Sequence, residues 1–184
     1  MKEILNRYTA EQIGKAKNIR AIIFDVDGVM TDGSIIYTNT GDEAKKFHVR
    51  DGAIIRPLRE QGFVVGAITG RNSELMEFRA KELKLDFLFQ AAKNKFARIE
   101  EMAEKHGFGW SEVCYVGDDF IDMASLKEAG LGAAPSDAPE YVKASADLVT
   151  FAKGGEGVVR EVADFILAAQ DKMYDVIESF TSRR

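Results

Sequence analysis

The chain has 184 residues, 46% of them hydrophobic and 30% charged, which is the size and balance of one globular domain rather than a disordered or fibrous chain. A formal net charge of −5 argues against a general nucleic-acid binder, and the single cysteine, Cys114, excludes an intramolecular disulfide and fits a reducing, cytoplasmic setting. No apolar run nears the roughly 18 residues of a membrane span, and the first eighteen residues lack the apolar centre of a signal peptide.

In chain order, Met1–Lys17 predicts an N-terminal helix with Ile4, Leu5, Tyr8 and Ile13 on a partial apolar stripe, so that residues 1–18 read as a helical extension to one domain spanning 19–184. Six short apolar runs then predict buried strands: Ala21–Phe24, Phe63–Ile68, Phe87–Phe89, Val113–Val116, Leu131–Ala134 and Leu148–Phe151. Helical spacing fills the gaps at Ile54–Gln61, Ser73–Leu83, Lys95–His106, Asp119–Ala129 and Pro139–Ala144. From Gly157 a long helix is expected to run to about Glu178, with Thr181–Arg184 mobile beyond it. Strands apolar on both faces and separated by helices imply a parallel sheet covered on both sides, a three-layer α/β/α fold. One segment breaks the alternation. Ser34–Thr38 and Glu43–Val49 flank Asn39-Thr40-Gly41-Asp42 and predict a β-hairpin directly after the first strand, where a regular βα unit would begin its helix.

The chemistry-bearing residues sit where the predicted strands end, and ligands of open α/β sheets collect outside the carboxyl ends of the strands. Asp25-Val26-Asp27-Gly28 follows the first strand. Two carboxylates there concentrate negative charge unless a cation joins them, and oxygen-only ligands suit Mg²⁺; a solvated acidic turn is the bland alternative. Gly117-Asp118-Asp119-Phe120-Ile121-Asp122 follows the strand Val113–Val116. Acids at a helix start are good caps in their own right, but three within five positions, beside Asp25 and Asp27, are better explained by a cation site. Thr69-Gly70-Arg71 and Lys95 offer a hydroxyl, backbone amides and an ammonium group to phosphate oxygens, although Thr69 alone reads as a cap and Lys95 alone as a surface residue. His48 and His106 are too few and too separated for a zinc site.

Taken in order, Asp25-x-Asp27-Gly, Thr69-Gly, Lys95 and Gly-Asp118-Asp119-x-x-Asp122 resemble the haloacid dehalogenase superfamily of phosphohydrolases. The longer stretches Asp25–Gly33, Phe47–Gly52, Ile68–Arg71 and Gly154–Glu161 resemble, within it, the family of 3-deoxy-D-manno-octulosonate 8-phosphate phosphatases, over about residues 19–171. That resemblance implies a Rossmann-like domain without a large cap, and Mg²⁺ held by Asp25, Asp27 through its backbone carbonyl, and Asp118. Asp25 is then the nucleophile and Asp27 the acid and base; Thr69 and Lys95 hold the phosphoryl group, and Asp119 or Asp122 orients Lys95 or a metal-bound water. The substrate, a small phosphorylated sugar acid, is expected to meet Arg50, Asp51, Gly70, Arg71 and Arg79. The resemblance also implies a homotetramer assembled through the hairpin 34–49, whose Ile35, Ile36, Tyr37 and Phe47 are expected to be buried between subunits, with Arg79 or the C-terminal helix reaching a neighbour's site. No nucleic-acid or membrane partner is expected. The alternatives are a nine-carbon keto-sugar acid phosphate as substrate, and a non-catalytic oligomerisation module on the same fold.

Overall fold

The computed structural model describes residues 2–182; Met1, Arg183 and Arg184, on which the expected helix start and mobile end partly fall, lie outside them. Six parallel strands form the central sheet: β1 (Ala21–Phe24), β4 (Val64–Ile68), β5 (Phe87–Phe89), β6 (Val113–Val116), β7 (Leu131–Ala134) and β8 (Leu148–Val149), in the order β5-β4-β1-β6-β7-β8. Two short antiparallel strands, β2 (Ile36–Tyr37) and β3 (Glu43–Ala44), make the hairpin after β1. Among the described residues this hairpin is the only insertion there, so the fold has no cap domain. The helices are α1 (Lys2–Leu5), α2 (Ala10–Ala16), α3 (Val49–Glu60), α4 (Glu74–Leu83), α5 (Lys95–His106), α6 (Met123–Glu128), α7 (Glu140–Lys143), α8 (Val158–Ala169) and α9 (Met173–Thr181).

Alternation along the strands sorts their side chains into two cores. Ile22, Phe24, Val65, Ala67, Cys114, Val116, Leu131 and Ala133 face a core completed by α3 and α8. Ala21, Ile23, Ile68, Val113, Tyr115 and Ala134 face the other, completed by α5, α6 and α7. Both faces of the central strands are dry, which is why they read as unbroken apolar runs. The edge strand β5 is covered less and is only half-buried.

Several boundaries differ from expectation, each for a local reason. The N-terminal helix is two helices, because Thr9 and Gln12 form a reciprocal capping box: the Gln12 amide donates to Thr9 Oγ1 at 3.2 Å and the Thr9 amide donates to Gln12 Oε1 at 2.9 Å. Tyr8 then stacks on Phe165 of α8 with ring centroids 3.9 Å apart, and Ile4, Leu5 and Ile13 pack on the first core. The C-terminal helix is also two, broken at Asp171, whose φ of 58° no helix continues. Gln170, at that break, donates to the carbonyls of Ala16 and Ile19. Helix α3 begins at Val49 rather than Ile54, and the hairpin is correspondingly shorter, since Asp51 is drawn inward to accept from the Arg160 amide at 2.7 Å. Between Gly117 and α6 stands a single 3₁₀ turn, Phe120–Asp122.

Helix α2 supplies a paired stability test. Thr9→Ala should cost about 1 kcal/mol by removing the cap. Gly14→Ala, in the same helix with open space around the added methyl, should gain about 0.5–1 kcal/mol. Chemical denaturation of the two variants should move the midpoint in opposite directions; shifts of the same sign would contradict this account of the helix.

Candidate active site

Register brings the functional side chains together. Phe24 of β1 lies opposite Ala67 of β4 and Val116 of β6, so the three strands end nearly level, and Asp25, Thr69 and Asp118 leave the same edge of the sheet. The wide turn Val26–Met30 that follows β1 is non-helical at Asp27 and at Gly28, where φ is 94°. Gly28 is required twice over, because a Cβ there would also lie 2.0 Å from Asp118 Oδ2. From behind, Gly154 comes so close that a Cβ would stand 2.2 Å from the Gly28 carbonyl, and Gly155 donates to the Val29 carbonyl at 3.0 Å. The glycine-rich segment before α8 thus braces the turn that carries Asp25 and Asp27.

Three carboxylates, Asp25, Asp118 and Asp122, bring an oxygen each to within 4.8 Å of one another. One ammonium group answers them. Lys95 Nζ, buried, lies 2.6 Å from Asp25 Oδ2 and 2.8 Å from Asp122 Oδ1. A lysine in the first turn of a helix is opposed by the helix dipole, so these two carboxylates account for its place. Asp122 has no oxygen to spare: Oδ1 also accepts from Tyr115 Oη at 2.6 Å, and Oδ2 accepts from the amides of Asp118 and Asp119. It is the anchor that fixes Lys95 and the Asp118 backbone.

Burial, then Asp122, push the Asp25 carboxyl up to about 7 although Lys95 opposes them. Burial, then Asp25 and Asp122, push Asp118 up to about 8. Burial would depress Lys95, but Asp25 and Asp122 together raise it. Three carboxylates against one ammonium leave a formal excess of two negative charges, and Asp118 Oδ1 is buried without a hydrogen-bond partner. A divalent cation with a preference for oxygen fits this set. A cavity of about 210 Å³ lined by Gly28, Asp32, Gly33, Asp118, Asp137, Ala138 and Pro139 opens beside Asp118.

On the other side of Asp25, Thr69 Oγ1 donates to Asp27 Oδ2 at 3.2 Å and accepts from the Arg71 amide at 3.1 Å. The hairpin closes this side. Lys45, just past β3, is ion-paired with Asp27 Oδ1. Glu43 Oε1 lies 3.4 Å from Lys45 and accepts from Arg71 at 2.9 Å, while its Oε2 accepts from Ser73 Oγ at 2.7 Å. Tyr37 Oη completes the Arg71 contacts at 3.3 Å. The hydrogen bonds from Ser73 and Arg71, and Lys45 beside them, hold the Glu43 carboxyl below its ordinary value.

Of the residues expected at the site, Asp25, Asp27, Thr69, Gly70, Arg71, Lys95, Asp118 and Asp122 gather at this edge. Asp119 stands beside them but its carboxylate caps the Phe120 amide at 2.7 Å, leaving Asp122 to orient Lys95. Three expected substrate residues lie elsewhere in the protomer. Asp51 is buried at the start of α8. Arg79 packs over the Phe47 ring at 5.3 Å and pairs with Glu82. Arg50 lines a separate cavity of about 290 Å³ with Arg7, His48, Glu156 and Arg160. Phe47 packs on the first core, so it is not a free apolar side chain of the hairpin, whereas Ile35, Ile36 and Tyr37 are at least half exposed. Sequence reasoning missed Glu43, Lys45 and Tyr115. The spacing of Glu43 and Lys45, which puts both on one face of a strand, was the available signal for the first two; Tyr115 is indistinguishable from any other apolar-strand aromatic.

The haloacid dehalogenase-like hydrolase family matches residues 44–130. The chain is 43% identical over 165 residues to 3-deoxy-D-manno-octulosonate 8-phosphate phosphatase of Escherichia coli K12, covering 90% of this chain and 88% of that protein. Among solved structures it is similar to the phosphatase of the same name from Moraxella catarrhalis in complex with magnesium ion, phosphate ion and KDO, with a TM-score of 0.92 and 37% identity over 95% of this chain and 100% of that one. The cobalt-bound deoxy-D-mannose-octulosonate 8-phosphate phosphatase of Haemophilus influenzae gives a TM-score of 0.86 at 35% identity, over 91% and 99% of the two chains.

The carboxylate cluster predicts how stability depends on pH. Without a cation the folded protein keeps protons on Asp25 and Asp118 up to about 7 and about 8, whereas the unfolded chain releases them near the ordinary carboxylate value of about 4. Between those limits the folded state binds more protons than the unfolded state, so stability should fall as pH rises. Thermal melts in EDTA should show that decline, and millimolar Mg²⁺ should raise the melting temperature most at the alkaline end. Melting temperatures independent of pH from 5 to about 8.5, with no Mg²⁺ increment, would contradict the cluster's electrostatics.

Proposed function

Because the chain belongs to the haloacid dehalogenase-like hydrolases, among the 3-deoxy-D-manno-octulosonate 8-phosphate phosphatases, we propose that it is a Mg²⁺-dependent phosphomonoesterase that cleaves this sugar phosphate to the free sugar acid and inorganic phosphate in lipopolysaccharide precursor synthesis. The observation that carries the reading is the cluster of Asp25, Asp118 and Asp122 balanced by Lys95, with Thr69 and Asp27 beside it at the carboxyl ends of β1, β4 and β6.

Asp25 attacks phosphorus and the phosphorus–oxygen bond to the sugar breaks, leaving an aspartyl-phosphate. Asp27 gives a proton to the departing sugar oxygen, then takes one from the water that hydrolyses the aspartyl-phosphate, so both carboxylates return to their starting state. Lys95 and the Thr69 hydroxyl hold the phosphoryl oxygens. Asp25, the Asp27 carbonyl and Asp118 would hold Mg²⁺, which when bound would offset the repulsion between the nucleophile's charge and the phosphate's. Gly70 and Arg71 face the sugar end; Arg71, about a third exposed and shared with Glu43, is suited to a substrate carboxylate. Arg50 meets substrate only across a subunit boundary. Arg79, which lies over Phe47 and beside Glu82 in its own protomer, is likewise read as reaching a neighbour's site, and Asp51 supports the segment that carries Arg50.

The reading includes a homotetramer joined through the hairpin 34–49. Its support is the exposure of Ile35, Ile36 and Tyr37, 51%, 50% and 62%, on a two-stranded ribbon that would be marginal by itself. A cytoplasmic location is part of the reading, in keeping with the free buried thiol of Cys114 and a phosphorylated substrate. No helix among the described residues is long and apolar enough to cross a membrane.

Phosphate release from 3-deoxy-D-manno-octulosonate 8-phosphate should require Mg²⁺, stop with EDTA, and exceed that from nine-carbon keto-sugar acid phosphates; a panel that favours another ester would overturn the substrate. Asp25→Asn should leave less than about a hundredth of wild-type turnover, since the nucleophile is lost. Asp27→Asn should cost about 10²–10⁴-fold with the sugar phosphate and far less with p-nitrophenyl phosphate, whose leaving group needs little protonation. Ile36→Lys should convert the assembly to smaller species by light scattering; a wild-type monomer with full, selective activity would refute the tetramer.

A further inference from the structure

Lys45 has no counterpart among the motifs that mark the site. Its side chain is only 3% exposed, which a lysine tolerates only when paired. It reaches from the hairpin to Asp27 Oδ1, while Thr69 Oγ1 donates to Asp27 Oδ2 from the end of β4. Each oxygen of the Asp27 carboxylate is thus held by a different element. The turn beneath it is irregular, with φ −81° and ψ 115° at Asp27, so no regular ladder orients the side chain. Lys45 is itself held from behind by Glu43, and Glu43 by Ser73 and Arg71. A hairpin that needed only an adhesive contact would be served as well by an apolar side chain, because burying an ion pair is rarely a net gain over packed hydrocarbon.

We propose that Lys45 is a positioning residue for the reaction: it holds the Asp27 side chain in the orientation from which the protonated carboxyl group passes its proton to the leaving sugar oxygen, and Glu43 keeps Lys45 there. This rests on the reading of Asp27 as acid and base. Misplacement of a reacting group by an ångström can cost about 100-fold in rate, so the effect of losing Lys45 is expected in kcat.

The test is a double-mutant cycle on the Mg²⁺-loaded protein, with 3-deoxy-D-manno-octulosonate 8-phosphate and p-nitrophenyl phosphate as substrates and light scattering as the control for assembly. Lys45→Met should lower kcat for the sugar phosphate by about 10- to 100-fold, with little change in KM and less than about a threefold loss on the aryl phosphate. In the Asp27→Asn background the same substitution should change the sugar-phosphate rate less than about twofold, because coupled residues are non-additive. Lys45→Arg should restore part of the loss. Glu43→Gln, which leaves Lys45 in place, should reproduce the substrate-dependent loss more weakly and serves where Lys45→Met does not fold. Multiplicative losses in the double variant, equal losses on both substrates, or an effect confined to KM would overturn the positioning role while the Asp27 assignment stands. Equal losses on both substrates from Asp27→Asn alone would overturn the acid assignment and this proposal with it.

Discussion

Everything at the carboxyl edge of the sheet depends on one electrostatic constraint: three carboxylates, two buried and one partly buried, share a small volume with a single ammonium group. Buried charge is costly unless it is paired, and Lys95 settles only part of it. Asp122 is satisfied completely, by Lys95, Tyr115 and two backbone amides, and so behaves as structure. Asp25 and Asp118 carry what is left over, in carboxyls raised to about 7 and about 8. The same imbalance that makes the cluster expensive by itself makes it a good receptor for a divalent cation and, through that cation and Lys95, for a phosphate dianion.

The hairpin works in two directions because a strand turns alternate residues to opposite sides. Glu43 and Lys45 face inward onto Arg71 and Asp27, closing the side of the site that no cap domain covers. Ile36 and Ala44, paired on the opposite face, stay exposed, while Tyr37 shares the face of Glu43 and reaches Arg71. Polar inward and apolar outward is the reverse of an ordinary surface ribbon. It is the arrangement expected of an element that completes a hydrophilic site on one face. Phe47, at the end of the same segment, has a different task, packing under Arg79 and against the first core to tie the hairpin to α3 and α4.

Support for the nucleophile's turn comes from far along the chain. The segment Gly154–Gly157 presses against the Gly28 carbonyl and against Asp32, and Asp51 secures the start of α8 just beyond it. The Arg160 amide satisfies one oxygen of Asp51, Oδ1, while Oδ2 is buried without a hydrogen-bond partner.

The sequence by itself determined the strands, their order of chemical residues and the class of chemistry. Apolar runs of three or four residues are local signals, and β1, β5, β6 and β7 have the limits that those runs predict. A parallel sheet then forces Asp25, Thr69 and Asp118 to one edge, so the core of the site was legible before any coordinates. The residues of the capping box, Thr9 and Gln12, stand in the sequence too, but the apolar stripe across them reads as one helix where the box starts a second. What tertiary structure alone decided are the contacts between residues far apart in the chain: Lys45 on Asp27, Tyr115 on Asp122, Asp51 on Arg160, and Arg79 turned onto Phe47. Periodicity tells which face of an element a side chain occupies, but not which distant group it must neutralise. That choice is set by the cost of leaving a buried charge or donor unpaired, and such a cost exists only once the chain has closed around it.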